Sequence, residues 1–136
     1  MKRKYFFVVL FLILAMFLSG CVIITDEEKV RNVIEEYFLA MNAQEWEKAK
    51  SCCMYESEVY YEICSFEGYI DSLYPSVVDI IFDVDIFDIV INGDLASACI
   101  DGSLTIIIDD DPMTSDSSGY FYLQKISNNW KLDYWL

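Results

Sequence analysis

Histidine is absent from this chain, and basic residues are scarce. Without histidine, the sequence lacks the side chain that most often acts as a general base near neutral pH and that most often binds metal ions. Most hydrolytic triads and most zinc sites are therefore excluded, and we expect neither a metal nor a cofactor. Nine lysine and arginine residues stand against 23 aspartate and glutamate residues, a net charge of −14. Because such a surface repels phosphate backbones, nucleic acids are excluded as partners.

The N-terminus has the composition of an export signal. A basic start at residues 2–4 precedes an unbroken apolar stretch over residues 5–18, which runs into the tetrapeptide LSGC at residues 18–21. This tetrapeptide resembles a bacterial lipobox, in which the cysteine receives a diacylglycerol and the signal peptidase cuts just before it. The sequence therefore predicts a signal peptide over residues 1–20, a lipid anchor with acyl chains such as palmitate on Cys21, a short tether over residues 21–25 and a single domain over residues 26–136.

An uncleaved signal anchor is the alternative for this segment. Residues 5–24 are interrupted only by Ser19, Gly20 and Cys21, and twenty residues are enough to span a bilayer. Both interpretations leave the basic start in the cytoplasm and residues 25–136 on the extracytoplasmic face of the cell membrane. Loss of the signal removes three basic residues and no acidic ones, so the remaining domain has six basic residues against 23 acidic ones and a net charge of −17.

The next segment predicts helices. Thr25 and Glu28 are spaced as a capping box, and apolar residues recur every three or four positions from residue 30 to residue 41, as on one buried helix face. A second, shorter helix is predicted over about residues 45–53. A third is predicted over residues 57–73, with a possible break at Gly68, and Pro75 ends it because proline disfavours helix in the residue before it.

Beyond Pro75 the apolar period changes to two, which is typical of strands. The first strand, near residues 80–92, changes phase around residues 86–88. Either a bulge lies there or Asp88 points into the core, and the bulge is the favoured interpretation. Three further strands are predicted over residues 95–108, 119–126 and 130–136, with Gly102 marking either a kink or a close backbone approach. Residues 109–118, which are acidic and rich in serine, are predicted to form a loop.

Helices followed by a four-stranded meander predict an α+β domain, with two or three N-terminal helices packed on a curved antiparallel sheet. The segments VRNVIEEYFLA (residues 30–40), NAQEWEKA (42–49) and YLQKISNNWKLD (122–133) resemble the NTF2-like superfamily, a cone-shaped fold shared with SnoaL-like proteins and ketosteroid isomerases. The likeness covers nearly all of residues 26–136 and is nearest to the small lipoproteins of that superfamily that have no assigned activity. It implies a cone that can hold an apolar ligand, in which isomerases and dehydratases place a proton-transferring Asp or His.

Asp88 is the candidate for such a catalytic carboxylate. Its parity allows it to lie inside the cone only if the bulge is absent, and apolar surroundings would then raise its pKa. The alternative is a solvated aspartate at the sheet edge. Tyr37, Trp46 and Tyr69 are the candidates for residues that line a ligand pocket, although most aromatic side chains here are expected to pack in the core and on the sheet.

The cysteines and the acidic run are the remaining candidate sites. Extracytoplasmic proteins form disulfides, and adjacent Cys52 and Cys53 rarely bond to each other, so one of them is expected to pair with Cys64 or Cys99. Buried free thiols are the alternative. The run at residues 109–111, with Asp116, suggests calcium, but its spacing does not match an EF-hand, and a solvated loop is favoured.

These observations favour a non-enzymatic, membrane-tethered lipoprotein that binds a small apolar ligand or another protein. A homodimer through the sheet is one form that such an interaction could take. The first alternative is an enzyme of the isomerase or dehydratase kind that uses a lone carboxylate. The second is a structural or adaptor lipoprotein of the envelope that has no ligand.

Overall fold

The computed structural model describes residues 24–136, so the signal segment and Cys21 lie outside the described residues. Three helices come first and four strands follow, which confirms the predicted α+β class. The strands form one antiparallel meander in the order β1-β2-β3-β4. The elements are α1 Asp26–Asn42, α2 Trp46–Ser51, α3 Glu58–Ser72, β1 Val78–Asn92, β2 Leu95–Ile108, β3 Asp111–Ile126 and β4 Asn129–Trp135. Within the described range, no helix combines the length and the apolar character needed to cross a membrane.

Helix α1 begins with the predicted capping box. The Thr25 hydroxyl accepts a hydrogen bond from the Glu28 backbone N–H at 3.2 Å, and the Glu28 carboxylate accepts one from the Thr25 N–H at 2.8 Å. These two bonds satisfy donors that a helix start leaves unpaired. The apolar face of α1 then packs on the sheet, and Val30 and Ile34 are completely buried. This packing forms the centre of the core.

A β-bulge interrupts β1, as the favoured interpretation predicts. Phe87 pairs with Cys99 and Val90 pairs with Ser97, so two residues of β1 lie opposite a single residue of β2. Asp88, the first of the two, has a φ of 49° and an exposed side chain, and it lies outside the core. The phase change predicts that the apolar face resumes at Phe87, but Phe87 is 42% exposed, and the residues that pack on the core resume two positions later, at Ile89.

Strand β3 is longer than predicted, and the prediction of a loop at residues 109–118 is wrong. Only Asp109 and Asp110 form the turn, both with positive φ, and pairing with β2 begins at Asp111. The polar residues of this segment fit a strand because the distal arm of the hairpin is exposed, so it needs no apolar face. Cross-strand pairs such as the Thr105 and Thr114 hydroxyls, 2.9 Å apart, stabilise it instead.

Strand β4 contains a second bulge. The regular alternation predicted for residues 130–136 does not include it. The pairing shifts by one residue between Leu132 and Tyr134, which leaves Asp133 without a partner. Leu132 is buried, whereas Tyr134 stacks on Tyr122 with ring centroids 4.5 Å apart. The shift turns Trp135 toward the core, where it packs against buried residues.

Candidate functional site

A cavity of about 320 Å³ opens between the helices and the inner face of the sheet. A volume of this order suits a small organic ligand. The wall is mainly apolar and aromatic, with side chains from α1, from α3 and from all four strands. Its apolar members are Phe38, Phe82, Val84, Ile100, Leu104, Phe121 and Trp135.

Aromatic rings hold this wall in place. Phe121 lies at the centre, with ring centroids 5.6 Å from Tyr37, 5.8 Å from Phe38 and 4.8 Å from Trp135. Edge-to-face and tilted pairs at these distances contribute beyond their buried area. We therefore expect the wall to keep its shape without a ligand.

Gly102 lets β1 and β2 approach closely beside the cavity, which is one of the two predicted alternatives. A Cβ atom at this position would collide with the Asp83 carbonyl oxygen and would lie 2.8 Å from the Val84 Cα. Gly102 therefore lines the cavity at a point where the backbones of β1 and β2 lie too close together for a side chain.

Tyr37 and Glu62 are the titratable residues that line the cavity. Tyr37 is only 6% exposed, and burial raises its pKa far above the usual value, with Cys53 and Glu62 adding to the rise. Its hydroxyl therefore stays protonated. Glu62, on α3, is exposed at the rim, and its pKa is raised first by burial and then by repulsion from Glu58.

Sequence reasoning missed Glu62, although α3 carries a signal for it. Val59 and Ile63 are fully buried residues of this helix. Glu62 lies three residues after Val59 and directly before Ile63, at the margin of the apolar stripe. A carboxylate at such a margin is a candidate for the edge of a cavity.

The structure places the other predicted site residues away from this cavity. Trp46 packs against Phe66 with ring centroids 6.0 Å apart, and Tyr69 is 45% exposed in a groove on α3. Asp88 is exposed at the bulge and does not line the cavity. Of the predicted pocket residues, therefore, Tyr37 alone reaches the cavity.

The four cysteines of the described range are free thiols. Cys52 and Cys53 are buried where the end of α2 meets β4, and the Leu132 N–H donates to the Cys52 carbonyl at 2.9 Å. Burial raises the pKa of Cys53 to about 12 and also raises that of Cys52, so both remain unreactive thiols.

The geometry contradicts the expected pairing of Cys99 with Cys52 or Cys53. Ala98 and Ile100 are buried against the core, so Cys99, between them, faces the opposite side of the sheet. A disulfide needs Cα atoms within about 7 Å and converging side chains, which the intervening sheet prevents. Cys64, on α3, is also unpaired.

The acidic run divides between two parts of the sheet. The Asp109 carboxylate accepts a hydrogen bond from the Val77 N–H at 2.9 Å, and hydrogen bonds from Ser76 and then Val77 lower its pKa. Asp116 pairs with Ser103 far along β3. No group of three or more metal-binding side chains comes together anywhere in residues 24–136. At the turn, the Asp109 carboxylate therefore connects the end of β2 to the residue that precedes β1.

Comparison with solved structures identifies the fold. An NTF2-like protein with a cystatin-like fold from Novosphingobium aromaticivorans has a TM-score of 0.62 at 12% identity, over 79% of this chain and 77% of that one. A provisionally assigned dehydratase of the NTF2-like family from Streptomyces avermitilis has a TM-score of 0.62 at 12% identity, over 77% and 90%. A conserved protein from Planctomyces limnophilus has a TM-score of 0.63 at 12% identity, over 79% and 90%.

No protein-family model matches the sequence, and no curated protein matches it. Likeness at such low identity concerns the fold alone. Three helices laid on a four-stranded antiparallel meander, together with these neighbours, show that the chain has the NTF2-like, cystatin-like fold.

Proposed function

We propose that this protein is a membrane-tethered extracytoplasmic lipoprotein whose cone binds a small apolar ligand without converting it. The observation that carries the proposal is the cavity of about 320 Å³, with its wall of aromatic and aliphatic side chains. A preformed apolar cavity with few polar groups is the usual form of a small-molecule site. Asp88, the candidate carboxylate of the alternative enzyme, is exposed at the bulge and does not line the cavity, which supports binding without catalysis by this residue.

The tether would hold the cavity away from the bilayer. Asp26, the first residue of α1, bonds to Lys125 at 3.0 Å and so lies near the turn between β3 and β4. At the other end of α1, Asn42 contacts Phe82, which lines the cavity. A helix of 17 residues spans about 25 Å. A lipid on Cys21 would therefore attach at the end of the domain opposite the cavity.

Replacement of the lipidated residue tests the tether. In the full chain, Cys21→Ser should abolish lipid incorporation and move the protein from the membrane fraction to the soluble fraction or leave it as an uncleaved precursor. Mass spectrometry of the N-terminus and fractionation distinguish these outcomes. Wild-type protein that lacks acyl groups and keeps residues 1–20 would overturn lipidation in favour of the uncleaved anchor.

A cavity-blocking substitution tests ligand binding. Ser117, on β3, lines the cavity. The next residue of β3, Ser118, faces the outer side of the sheet, where it lies opposite Asp101 of β2. We expect Ser117→Trp to reduce binding of an apolar fluorescent probe, naphthylmethanol, by about tenfold or more, because the indole fills the mouth. Ser118→Trp adds the same side chain outside the cavity and is the matched control.

Equal binding by wild type and Ser117→Trp would show that the probe binds elsewhere. The full chain should be held in nanodiscs of phosphatidylcholine, with binding to empty nanodiscs subtracted. If wild type binds no probe and carries no co-purified ligand, the structural or adaptor role becomes the better account.

Proton transfer is a second candidate function, because a carboxyl group with a raised pKa lies at an apolar cavity beside a tyrosine. In that case Glu62, and not Asp88, would be the general base, and the protonated Tyr37 hydroxyl would donate to a developing oxyanion. Exchange of the α-proton of a bound ketone with solvent deuterium would detect this activity. Glu62→Gln should abolish the exchange, and Asp88→Asn should leave it unchanged.

A further inference from the structure

We propose that the ligand of the cavity is an apolar molecule with one cationic ammonium group, and that Glu62 binds this group at the rim. The inference rests on the proposed function and names the chemical class of the ligand. It is carried by three features of the described structure: an unneutralised carboxylate, a wall of aromatic rings and an acidic approach on α3.

The first feature is the charge of the cavity. No lysine or arginine lines it, and Glu62 forms no ion pair within residues 24–136. Lysines of α2, β3 and β4 have other partners, and Lys131 bonds to the Ser51 carbonyl. Lys50 bonds to Glu67 at 2.7 Å, and Lys125 bonds to Asp26 at 3.0 Å. The Glu62 carboxylate is therefore free to pair with a cationic group of the ligand, and burial of that group against the apolar wall would strengthen the pair.

The second feature is the wall next to that carboxylate. Tyr37, Phe121 and Trp135 form a continuous set of ring contacts, with centroids 4.8 to 5.6 Å apart, and all three line the cavity. The faces of aromatic rings attract cations and at the same time bury apolar groups. The wall therefore accepts both halves of a hydrophobic amine. It offers no cation to an anionic ligand.

The third feature is a groove on the outer surface of α3 that shares Glu62 with the cavity. Glu58, Tyr61 and Tyr69 also line this groove, and both tyrosines are exposed, by 55% and 45%. Carboxylates and aromatic rings thus continue from solvent to the cavity mouth. Such a surface raises the local concentration of cations and repels anions.

A matched pair of probes tests the charge preference. Naphthylmethylammonium and naphthylmethanol have nearly the same shape and differ in charge. We expect the full wild-type chain, in phosphatidylcholine nanodiscs at physiological salt, to bind the ammonium probe about tenfold more tightly, the effect of one charge-assisted hydrogen bond at a solvated rim. Glu62→Gln should bind the two probes equally.

The control variant is Glu35→Gln, because Glu35 is exposed on α1 and does not line the cavity. Glu35→Gln makes the same change in net charge as Glu62→Gln. Because Glu35 lies away from the cavity, this variant should keep the tenfold preference for the ammonium probe. Equal binding of both probes by wild type would overturn the cationic ligand while leaving apolar binding intact. Preference that survives in Glu62→Gln would also overturn it. Failure of folded wild type to bind either probe would instead contradict the proposed function itself.

Discussion

The two titratable residues that line the cavity, Glu62 and Tyr37, differ in protonation state: the glutamate can ionise and the tyrosine stays neutral. Burial keeps the Tyr37 hydroxyl protonated at neutral and acidic pH, so it can donate or accept a hydrogen bond there. Glu62 ionises, but at a higher pH than an ordinary glutamate, because burial and Glu58 disfavour its charge. The affinity for a cation should therefore follow the ionisation of Glu62.

Binding of the ammonium probe should weaken by about tenfold as the pH falls through the pKa of Glu62, because the protonated carboxyl loses its charge. The amine itself stays charged over this range. The titratable groups around Glu62 are Glu58 on α3, Tyr37 on α1 and Cys53 after α2, and no titratable side chain of the sheet lines the cavity. Of these, only Glu58 shares the acidic range.

Titrations of both probes from pH 7 to acid, followed by fluorescence, measure this effect. Naphthylmethanol should bind equally throughout, and Glu62→Gln should show a flat profile for both probes. If the ammonium profile were the same in Glu62→Gln as in wild type, another group would be responsible for it.

At this scale the sequence predicts what depends on local pattern alone. Tyr37 lies on the regular apolar face of α1, so its burial follows from periodicity. Glu62 lies at the margin of a stripe on α3, and whether a marginal residue reaches the cavity depends on how the helix is rotated against the sheet. That rotation is a property of tertiary packing, which also excludes Trp46 and Tyr69 from the site.

At the scale of elements, α1 and the turn that follows it protect the free edge of β1. The Arg31 side chain donates to the Ile86 carbonyl at 2.8 Å, and Gln44 donates to the Val78 carbonyl at 2.7 Å. Asn42 both donates to and accepts from the backbone of Phe82, as another strand would do. Edge strands with unpaired backbone groups recruit other chains, and these side chains occupy the groups instead.

Asn42→Ala should therefore lower the free energy of unfolding by about 1–3 kcal/mol, because it leaves part-buried backbone groups of Phe82 without partners. Denaturant unfolding of the full chain measures the change. Asn32→Ala removes the same side chain from an exposed position on the same helix. This control should leave stability unchanged or slightly higher, since alanine favours helix. A loss of equal size in both variants would disprove the role of Asn42.

Alanine substitutions at two glycines test whether Gly102 is required because two strands lie close together. Gly102→Ala should destabilise the fold by about 1–3 kcal/mol, because the new Cβ meets the backbone of Asp83 and Val84. Gly68→Ala, in the middle of α3 with open space around it, should stabilise by about 0.5–1 kcal/mol. Thermal and denaturant unfolding compare the two. A neutral Gly102→Ala would mean that the strands can separate at no cost.

Most elements could be predicted because capping, apolar period and turn residues act locally. The bulge at Asp88 was predictable from the change of phase along β1. The bulge at Asp133 was not, because apolar residues occur at both parities in β4. The strand at the start of β3 was also missed, since its polar sequence pairs with β2 without burying an apolar face.

At the scale of the whole molecule, the outer face of the sheet combines exposed aromatic residues with carboxylates. Phe87 and Tyr120 are 42% and 45% exposed. Beside them lies an acidic row, with Asp85 directly opposite Asp101 and with Asp83 and Asp116 on either side of Ser103. Two copies packed through this face would bring these carboxylates together, which opposes association.

The homodimer through the sheet stays a prediction. Because the acidic row repels a second copy, we expect the dimer to form only where salt screens these charges. We expect the full chain in neutral detergent to be monomeric at about 0.01 M salt and to associate at about 1 M, where the screening length falls from about 30 Å to about 3 Å. Asp85→Asn combined with Asp101→Asn should shift association to lower salt. Sedimentation velocity measures both, and a dimer that weakens with salt would contradict this account.

The central claim is that the cone holds an apolar ligand, and native mass spectrometry of the full chain purified in mild detergent tests it most directly. Wild type and Ser118→Trp should carry a co-purified small molecule beyond the mass of the protein and its lipid, and Ser117→Trp should lose it. The released molecule should be apolar and carry one amine. An empty wild-type cavity, or the same adduct in Ser117→Trp, would contradict the claim.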